Sequence, residues 1–162
     1  QRQMCIRDRH YRCFYSRYAD DITFSSDKNI FQREKFLSEL NLAIAKQGFT
    51  INEKKTRLQK HTQRQEVTGI IVNQKSNLKR DYVKKVRAMI HNWETKGLDY
   101  CQAKLEKQYP KEKGYIRNKT TPPFENVLHG KILFLGMVRG KDDPYFQQFE
   151  AKFNELNNSN NG

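Results

Sequence analysis

Hydrophobic and polar positions along the chain change from a β-type pattern to a helical one. Residues 11–26 combine Tyr, Phe, Ile and Thr on both sides of a short polar centre, which predicts a β-hairpin with an Ala-Asp-Asp triplet near its tip. Over residues 31–47 the apolar side chains repeat at helical spacing, and Gly48 follows as a stop signal. The first part of the chain therefore predicts a hairpin followed by a helix.

Short β-rich runs occupy the middle of the chain. Residues 49–51 and 56–58 predict strand pieces around a basic turn, and residues 66–73 form a β-branched run that Gly69 interrupts. Residues 73–77 are rich in polar turn formers. These runs predict one more strand and a second hairpin.

The remaining sequence has helical periodicity. Asp81 predicts the N-cap of a helix over 82–96, which Gly97 ends. Residues 110–123 contain three of the four prolines and predict a long loop.

Two further helices are predicted near the C-terminus. One covers residues 125–138, and Asp143-Pro144 begins the other, in which Phe and Leu recur at helical spacing up to Leu156. Residues 157–162 predict a disordered tail. The order of these elements predicts an α+β fold, with a small mixed layer followed by a helical subdomain.

The first nine residues, QRQMCIRDR, have neither the apolar segment nor the cleavage site of a signal peptide. They match the translation of a transposase-type sequencing adaptor, so we expect residues 1–9 to be a non-native leader. The native sequence would then begin near Arg9 or His10. A genuine basic N-terminus is the alternative.

Charge adds a candidate partner to this picture. The net charge is +13 and the pI is near 9.7, which favours an anionic partner such as nucleic acid. Residues 46–80 carry nine Lys and Arg against two acidic residues, so this segment holds +7 of the excess. A solvated basic face is the alternative interpretation.

Cysteine usage and hydropathy narrow the cellular setting. The three cysteines include no CxxC pair, which argues against a zinc site or a disulfide framework and fits a reducing cytosol. No apolar run approaches the roughly 20 residues of a membrane span, so we expect a cytoplasmic protein without a membrane partner.

The Asp20-Asp21 pair is the strongest candidate for chemistry. Two adjacent carboxylates repel each other at a hairpin tip, and a divalent cation removes that cost. Mg²⁺ prefers oxygen ligands and is held by one or two carboxylates together with phosphates and waters. An Asp-Asp turn without a metal is the alternative for such a pair.

Four motifs in this order resemble bacterial reverse transcriptases of the retron and group II intron type. YSRYADDITFS is similar to motif C, GFTINEKKTR to motif D, VTGIIVN to the primer-grip hairpin, and LHGKILFLGMVRGKDDPYFQQF to the thumb. The resemblance covers most of residues 11–156. It implies the C-terminal part of a palm over residues 10–77 and a helical thumb over 78–156.

The resemblance also implies residue roles. Asp20 and Asp21 would hold Mg²⁺, as two ions in a complete enzyme, with Mn²⁺ as a substitute. Lys55 would be the motif D general acid. An exposed turn lysine is the alternative for Lys55. The residues expected to contact the RNA template and the DNA or RNA primer are Tyr18, Arg57, Lys60, Arg64, Val67, Thr68, Gly69, Lys84, Lys85 and Arg87.

The implied activity is RNA-directed DNA polymerisation from deoxynucleoside triphosphates, in a retron-like or related bacterial defence enzyme. A group II intron maturase and a non-catalytic basic nucleic-acid-binding module are the alternatives. The motif A aspartate, motif B and the fingers are not in this sequence, so we expect the chain alone not to polymerise.

Overall fold

The structure, a computed structural model, describes residues 11–113 and 120–160. The chain divides into two compact units between Thr68 and Gly69. The predicted α+β class is confirmed. The leader expected at residues 1–9 lies outside the described residues. The elements in the described part are strands β1 (Phe14–Tyr18), β2 (Asp21–Ser25), β3 (Glu66–Val67) and β4 (Ile70–Ile71) and helices α1 (Glu34–Ala45), α2 (Arg80–Lys96), α3 (Leu98–Lys113), α4 (Phe124–Arg139) and α5 (Pro144–Asn160).

The first hairpin forms as predicted. Strands β1 and β2 pair in antiparallel fashion with Tyr18 opposite Asp21, which leaves a two-residue turn at the tip. One face of the hairpin packs on α1, where the Phe24 and Phe36 rings meet edge to face at 5.8 Å between centroids. The core of this unit is small, with Cys13, Ile30 and Phe36 buried.

The segment after α1 differs from its prediction. Gly48, with φ of 75°, donates its N–H to the Ala45 carbonyl at 2.9 Å and ends the helix as expected. The strands predicted at 49–51 and 56–58 are wrong. The backbone and the hydroxyl of Thr56 both donate to the Asn52 carbonyl at 3.0 Å, so this segment forms a turn. Such local bonds compete with strand pairing.

The second hairpin joins β3 and β4 through Thr68 and Gly69. Both residues have positive φ, 48° and 87°, as the commonest two-residue hairpin turn requires. Beyond β4, Ile71 and Asn77 exchange two backbone hydrogen bonds of 2.9 Å. The turn predicted over 73–77 is therefore confirmed.

The start of α2 also differs from its prediction. The Tyr82 N–H donates to the Lys79 carbonyl at 2.9 Å, so Lys79 is the N-cap residue and Asp81 lies in the first turn. A carboxylate there still stabilises the helix through its dipole. Gly97, with φ of 81°, ends α2 as predicted.

Helix α3 was not predicted, and it replaces the first part of the loop expected over residues 110–123. Its apolar face is narrow, so its periodicity is weak in the sequence. Cys101 is buried in this face, and Gln102 Oε1 accepts the backbone N–H of Phe124 at 2.7 Å. Helix α3 thereby fixes the beginning of α4.

The helical unit is built around α4. Leu128, Ile132 and Leu135 have no exposed surface. The Trp93 ring meets the rings of Phe124 at 5.8 Å and Phe153 at 5.7 Å, so α2, α4 and α5 share one core. This core is much larger than that of the first unit.

Helix α5 begins where the sequence predicts. Asp143 Oδ1 accepts the N–H groups of Tyr145 at 3.0 Å and Phe146 at 3.2 Å, which satisfies the first turn. The helix continues to Asn160, although disorder was predicted from residue 157. Within this last part of the helix, the Ser159 hydroxyl donates to the Glu155 carbonyl at 2.9 Å. Among the helices in the described ranges, none is long and apolar enough to cross a membrane.

Candidate metal centre and nucleic-acid surface

The tip of the first hairpin presents two carboxylates to solvent. Asp20 lies in the turn and Asp21 begins β2, and both are exposed. Tyr18, opposite Asp21, is 74% exposed. Neither carboxylate makes an ion pair within the part of the chain that the structure describes, so both are available to an external cation.

The donor set fits part of a magnesium site. Carboxylate oxygens are hard ligands, and Mg²⁺ accepts one or two of them alongside phosphates and waters. Among the side chains that the structure describes, no three His, Cys, Asp or Glu form a cluster that could hold a metal. Within the described residues, Asp20 and Asp21 would therefore hold an ion as a pair.

Arg17 organises this tip and was missed at the sequence level. Its Nε donates to the Ala19 carbonyl at 2.7 Å, and its guanidinium carbon lies 5.8 Å from the centroid of the Phe49 ring. Phe49 precedes the turn over 52–56. The sequence signal was the position of Arg17 in the strand, which places it on the same hairpin face as Phe24.

Lys55 lies in the turn that follows Phe49. Its backbone N–H donates to the Asn52 carbonyl at 3.0 Å, and its side chain is exposed. The ammonium group makes no ion pair in the described residues. Lys55 is therefore an exposed cation in the same unit as Asp20 and Asp21.

The basic segment has an internal frame. Gln59, like Arg17, was missed at the sequence level. Its side chain donates a hydrogen bond to the Glu66 carbonyl at 3.0 Å and accepts one from the Glu66 N–H. Arg57 and Lys60 flank Gln59 and are exposed, while Arg64 pairs with Glu66 at 3.7 Å. This segment therefore presents its cations from a loop anchored to β3.

The tip of the second hairpin is partly exposed. Thr68 and Gly69 are exposed, whereas Val67 is half-buried. Added bulk at Gly69 would meet no atom within 4 Å, but its φ of 87° disfavours any other residue. Glycine is therefore required there by the backbone and not by space.

The predicted cations of α2 do not share one face. Lys84, Lys85 and Arg87 are all exposed. Residues three and four apart on a helix are neighbours, so Lys84 and Arg87 lie together and Lys85 lies about 100° away. The sequence predicts nucleic-acid contacts at all three residues, but on the helix Lys85 points away from the other two.

Three curated relatives are similar to this chain. Retron Mx65 reverse transcriptase of Myxococcus xanthus is 39% identical over 83 residues, which cover 51% of this chain and 19% of that protein. Retron Mx162 reverse transcriptase of the same organism is 34% identical, and Retron Ec86 reverse transcriptase of Escherichia coli is 36% identical. Both matches cover 48% of this chain, and 19% and 24% of the respective relatives. The chain is homologous to retron reverse transcriptases.

The predicted resemblance to retron reverse transcriptases is thereby confirmed. The chain spans about a fifth to a quarter of the length of the retron reverse transcriptases it matches. No protein-family model matches the chain. No solved structure matches it either.

Proposed function

We propose that this chain supplies the metal-binding hairpin and a nucleic-acid surface of an RNA-directed DNA polymerase of the retron type. The observation that carries the proposal is the exposed Asp20-Asp21 pair at a hairpin tip, in a chain homologous to retron reverse transcriptases. Two adjacent carboxylates repel each other, and neither Asp20 nor Asp21 has an ion-pair partner in the described residues, whereas two-metal phosphoryl transfer uses carboxylates to hold its ions.

In the proposed site, Asp20 and Asp21 hold Mg²⁺, with Asp20 as the principal ligand. An ion held there would supply activation of the primer 3′-hydroxyl and stabilisation of the charge on the leaving pyrophosphate. Arg17 fixes the turn that carries Asp20 through its bond to Ala19. The exposed Tyr18 ring, directly opposite Asp21, lies beside the primer terminus.

Lys55 has the proposed role of general acid. Its ammonium group donates a proton to the leaving pyrophosphate oxygen, which would otherwise depart with additional negative charge. Its exposure keeps it accessible to a bound deoxynucleoside triphosphate. The contact between Arg17 and Phe49 supports this role, because it joins the Asp20 turn to the segment that leads to Lys55.

The basic residues have the proposed role of binding the RNA template and its primer. Arg57, Lys60 and Arg64 of the anchored loop contact phosphates, as do Lys84 and Arg87 of α2. The affinity supplied by such contacts depends on salt and not on sequence. An RNA–DNA hybrid is recognised through its shape, phosphates and 2′-hydroxyl groups. Val67, Thr68 and Gly69 form the hairpin that contacts the primer strand.

The test is primer extension by a retron reverse transcriptase in which the region from motif C to the thumb is replaced by residues 11–156 of this chain. We expect extension by this chimera and none by its Asp20→Asn variant, although template-primer binding persists. Asp142→Asn is the matched control, because Asp142 is also exposed and begins a second Asp-Asp pair. Full extension by the Asp20→Asn chimera would remove Asp20 from the mechanism.

A non-catalytic nucleic-acid-binding module is the second candidate. The observation that favours it is the concentration of positive charge over residues 46–80, which carry nine Lys and Arg against two acidic residues. Such a module needs the basic loop and α2 but not the paired carboxylates. This second candidate would be supported if the chimera bound template-primer with the affinity of the parent enzyme but extended no primer.

A further inference from the structure

Helix α2 carries a continuous stripe of exposed cations. Arg80, Lys84 and Arg87 follow one another at spacings of four and three residues, so they lie along one line of the helix. His91 continues the line, and all four residues are exposed. The line contains no acidic residue. The stripe from Arg80 to Arg87 rises by about 10.5 Å.

The last arginine of the stripe rests on an aromatic ring of α5. The guanidinium carbon of Arg87 lies 5.4 Å from the centroid of the Tyr145 ring. Arg139, at the end of α4, lies 5.1 Å from the same centroid. Tyr145 is 39% exposed. Its ring also contacts the buried Phe149, with 6.0 Å between the two ring centroids.

The two arginines are not equivalent. Arg139 pairs with Asp143 at 2.9 Å, and both side chains are largely buried, so its charge is neutralised inside the protein. Asp143 also caps α5 and is fully engaged. Arg87 makes no ion pair within the described residues. Its interaction there is the cation–π contact with the Tyr145 ring. Asp142 is the other acidic residue of the adjoining turn, and it is exposed.

This geometry suits phosphate. A guanidinium that stacks on a ring keeps its N–H edge available, and that edge matches two phosphate oxygens. The ring also holds Arg87 in one orientation, which lowers the entropy cost of binding. A stripe of about 10.5 Å covers a length of duplex that carries about three phosphates on one strand.

We propose that Tyr145 is a positioning residue that holds Arg87 toward the phosphate backbone of a nucleic-acid duplex bound along Arg80, Lys84 and Arg87. Arg139 contacts the same ring, with its guanidinium carbon 5.1 Å from the Tyr145 centroid. The stripe excludes Lys85, which is among the nucleic-acid contacts expected from the sequence. This inference rests on the proposed nucleic-acid binding and names the helix face that performs it.

The first test compares neighbouring lysines in the 162-residue chain. Binding of a fluorescein-labelled RNA–DNA hybrid is measured by anisotropy between about 50 and 200 mM salt. Lys84→Gln and Arg87→Gln should each reduce the slope of log affinity against log salt by about 1. Lys85→Gln removes the same charge one residue away and should leave the slope unchanged. Equal losses from Lys84→Gln and Lys85→Gln would overturn the stripe.

The second test isolates the ring. Tyr145→Met keeps apolar bulk against Phe149 but removes the aromatic face, so it should weaken binding, by no more than Arg87→Gln does. Tyr145→Phe keeps the face and should bind as the parent does. The double variant of Tyr145→Met with Arg87→Gln should bind no worse than Arg87→Gln alone, because both remove one contact. Additive losses would show that Tyr145 does not act through Arg87.

Two controls distinguish failure of the stripe from unfolding of a variant and from failure of the proposed function. Thermal midpoints identify any variant that unfolds, and the comparison of Lys84→Gln with Lys85→Gln then decides on the stripe. If the parent binds in a salt-dependent way and the stripe variants match it, the stripe is wrong and the proposed function stands. If the parent shows no salt-dependent binding, the proposed function fails as well.

Discussion

The side chain of Arg17 joins the turn at Ala19 to the ring of Phe49. Its Nε–H donates to the Ala19 carbonyl at 2.7 Å while its guanidinium carbon lies 5.8 Å from the Phe49 centroid. One residue therefore connects the backbone beside Asp20 with the segment that leads to Lys55. The hairpin tip and the turn that carries Lys55 are therefore connected through the Arg17 side chain and not through a β-strand.

Removing this connection should loosen the tip. The hydrogen bond and the exposed cation–π contact together contribute about 1–2 kcal/mol. Arg17→Ala should therefore accelerate amide hydrogen exchange in β2 by about 5- to 30-fold, as measured by NMR. Lys35→Ala removes the same charge from the exposed side of α1 and should leave that exchange unchanged. Parental exchange rates in Arg17→Ala would contradict the connection.

The two Asp-Asp pairs of the chain should respond differently to metal. Mn²⁺ at millimolar levels should broaden the amide signals around Asp20 and Asp21, because both carboxylates are exposed and unpaired by cations. Asp142 and Asp143 should show no broadening, because Asp143 is occupied by Arg139 and the α5 cap. Asp20→Asn should abolish the effect. Sub-micromolar affinity, or equal broadening at both pairs, would contradict this account.

Binding of an RNA–DNA hybrid should depend steeply on salt. If about six phosphates are contacted, the affinity should fall by about 10³-fold or more between about 50 and 200 mM salt. Joint replacement of Arg57, Lys60 and Arg64 by Gln should flatten the slope, with Arg64 contributing least because Glu66 pairs with it. Asp20→Asn should keep the parental slope. If the affinity of the parent did not change with salt, the basic residues over 46–80 would form a solvated face and would not bind nucleic acid.

Two glycines of α4 should respond to alanine in opposite directions. A Cβ atom at Gly136 would lie 2.5 Å from the Phe146 ring, so Gly136→Ala should lower the free energy of unfolding by about 1–3 kcal/mol. A Cβ atom at Gly130 would meet nothing within 4 Å, so Gly130→Ala should raise it by up to about 1 kcal/mol. Urea denaturation measures both. Equal effects would mean that the close approach of Phe146 does not constrain position 136.

Stability should fall at alkaline pH through Tyr82. Burial raises the pKa of the Tyr82 phenol from 10.0 to about 12, and its hydroxyl donates to the Lys131 carbonyl at 3.0 Å. The unfolded phenol ionises first, so this contribution is present below pH 10 and is lost as the pH rises from 10 to about 12. Tyr82→Phe should lack this component in urea midpoints across that range. The exposed Tyr100, replaced by Phe, is the control and should retain it.

Local signals in the sequence predicted much of the fold. The Asp20-Asp21 hairpin, the stops at Gly48 and Gly97, and the start at Asp143 all follow from residue types whose backbone or hydrogen-bonding preferences act over a few positions. The same reasoning placed the candidate metal ligands on an exposed tip. Local causes did not always suffice, because the strand pieces predicted at 49–51 and 56–58 form a turn that the bonds from Thr56 to Asn52 close.

Contacts between distant residues were beyond the sequence. Arg17 reaches Phe49, and Arg87 and Arg139 meet at Tyr145, through packing that no periodicity encodes. Helix α3 was missed because its stability depends on burying Cys101 against neighbouring helices and not on a strong amphipathic pattern. Lys84, Lys85 and Arg87, which were predicted to act together, do not share one helix face. Adjacent residues on a helix point in directions about 100° apart, so Lys85 lies apart from the other two.

Thr68 has a φ of 48°, a left-handed backbone conformation that a β-branched residue rarely adopts. Strain of this kind costs about 1–3 kcal/mol, and Asn before Gly69 would relieve much of it. A protein engineer seeking a more thermostable version would choose this position first. Because Thr68 also belongs to the proposed primer-contacting hairpin, such a version would exchange a side chain at the nucleic-acid surface for stability, and Thr68→Asn would measure the size of that trade-off.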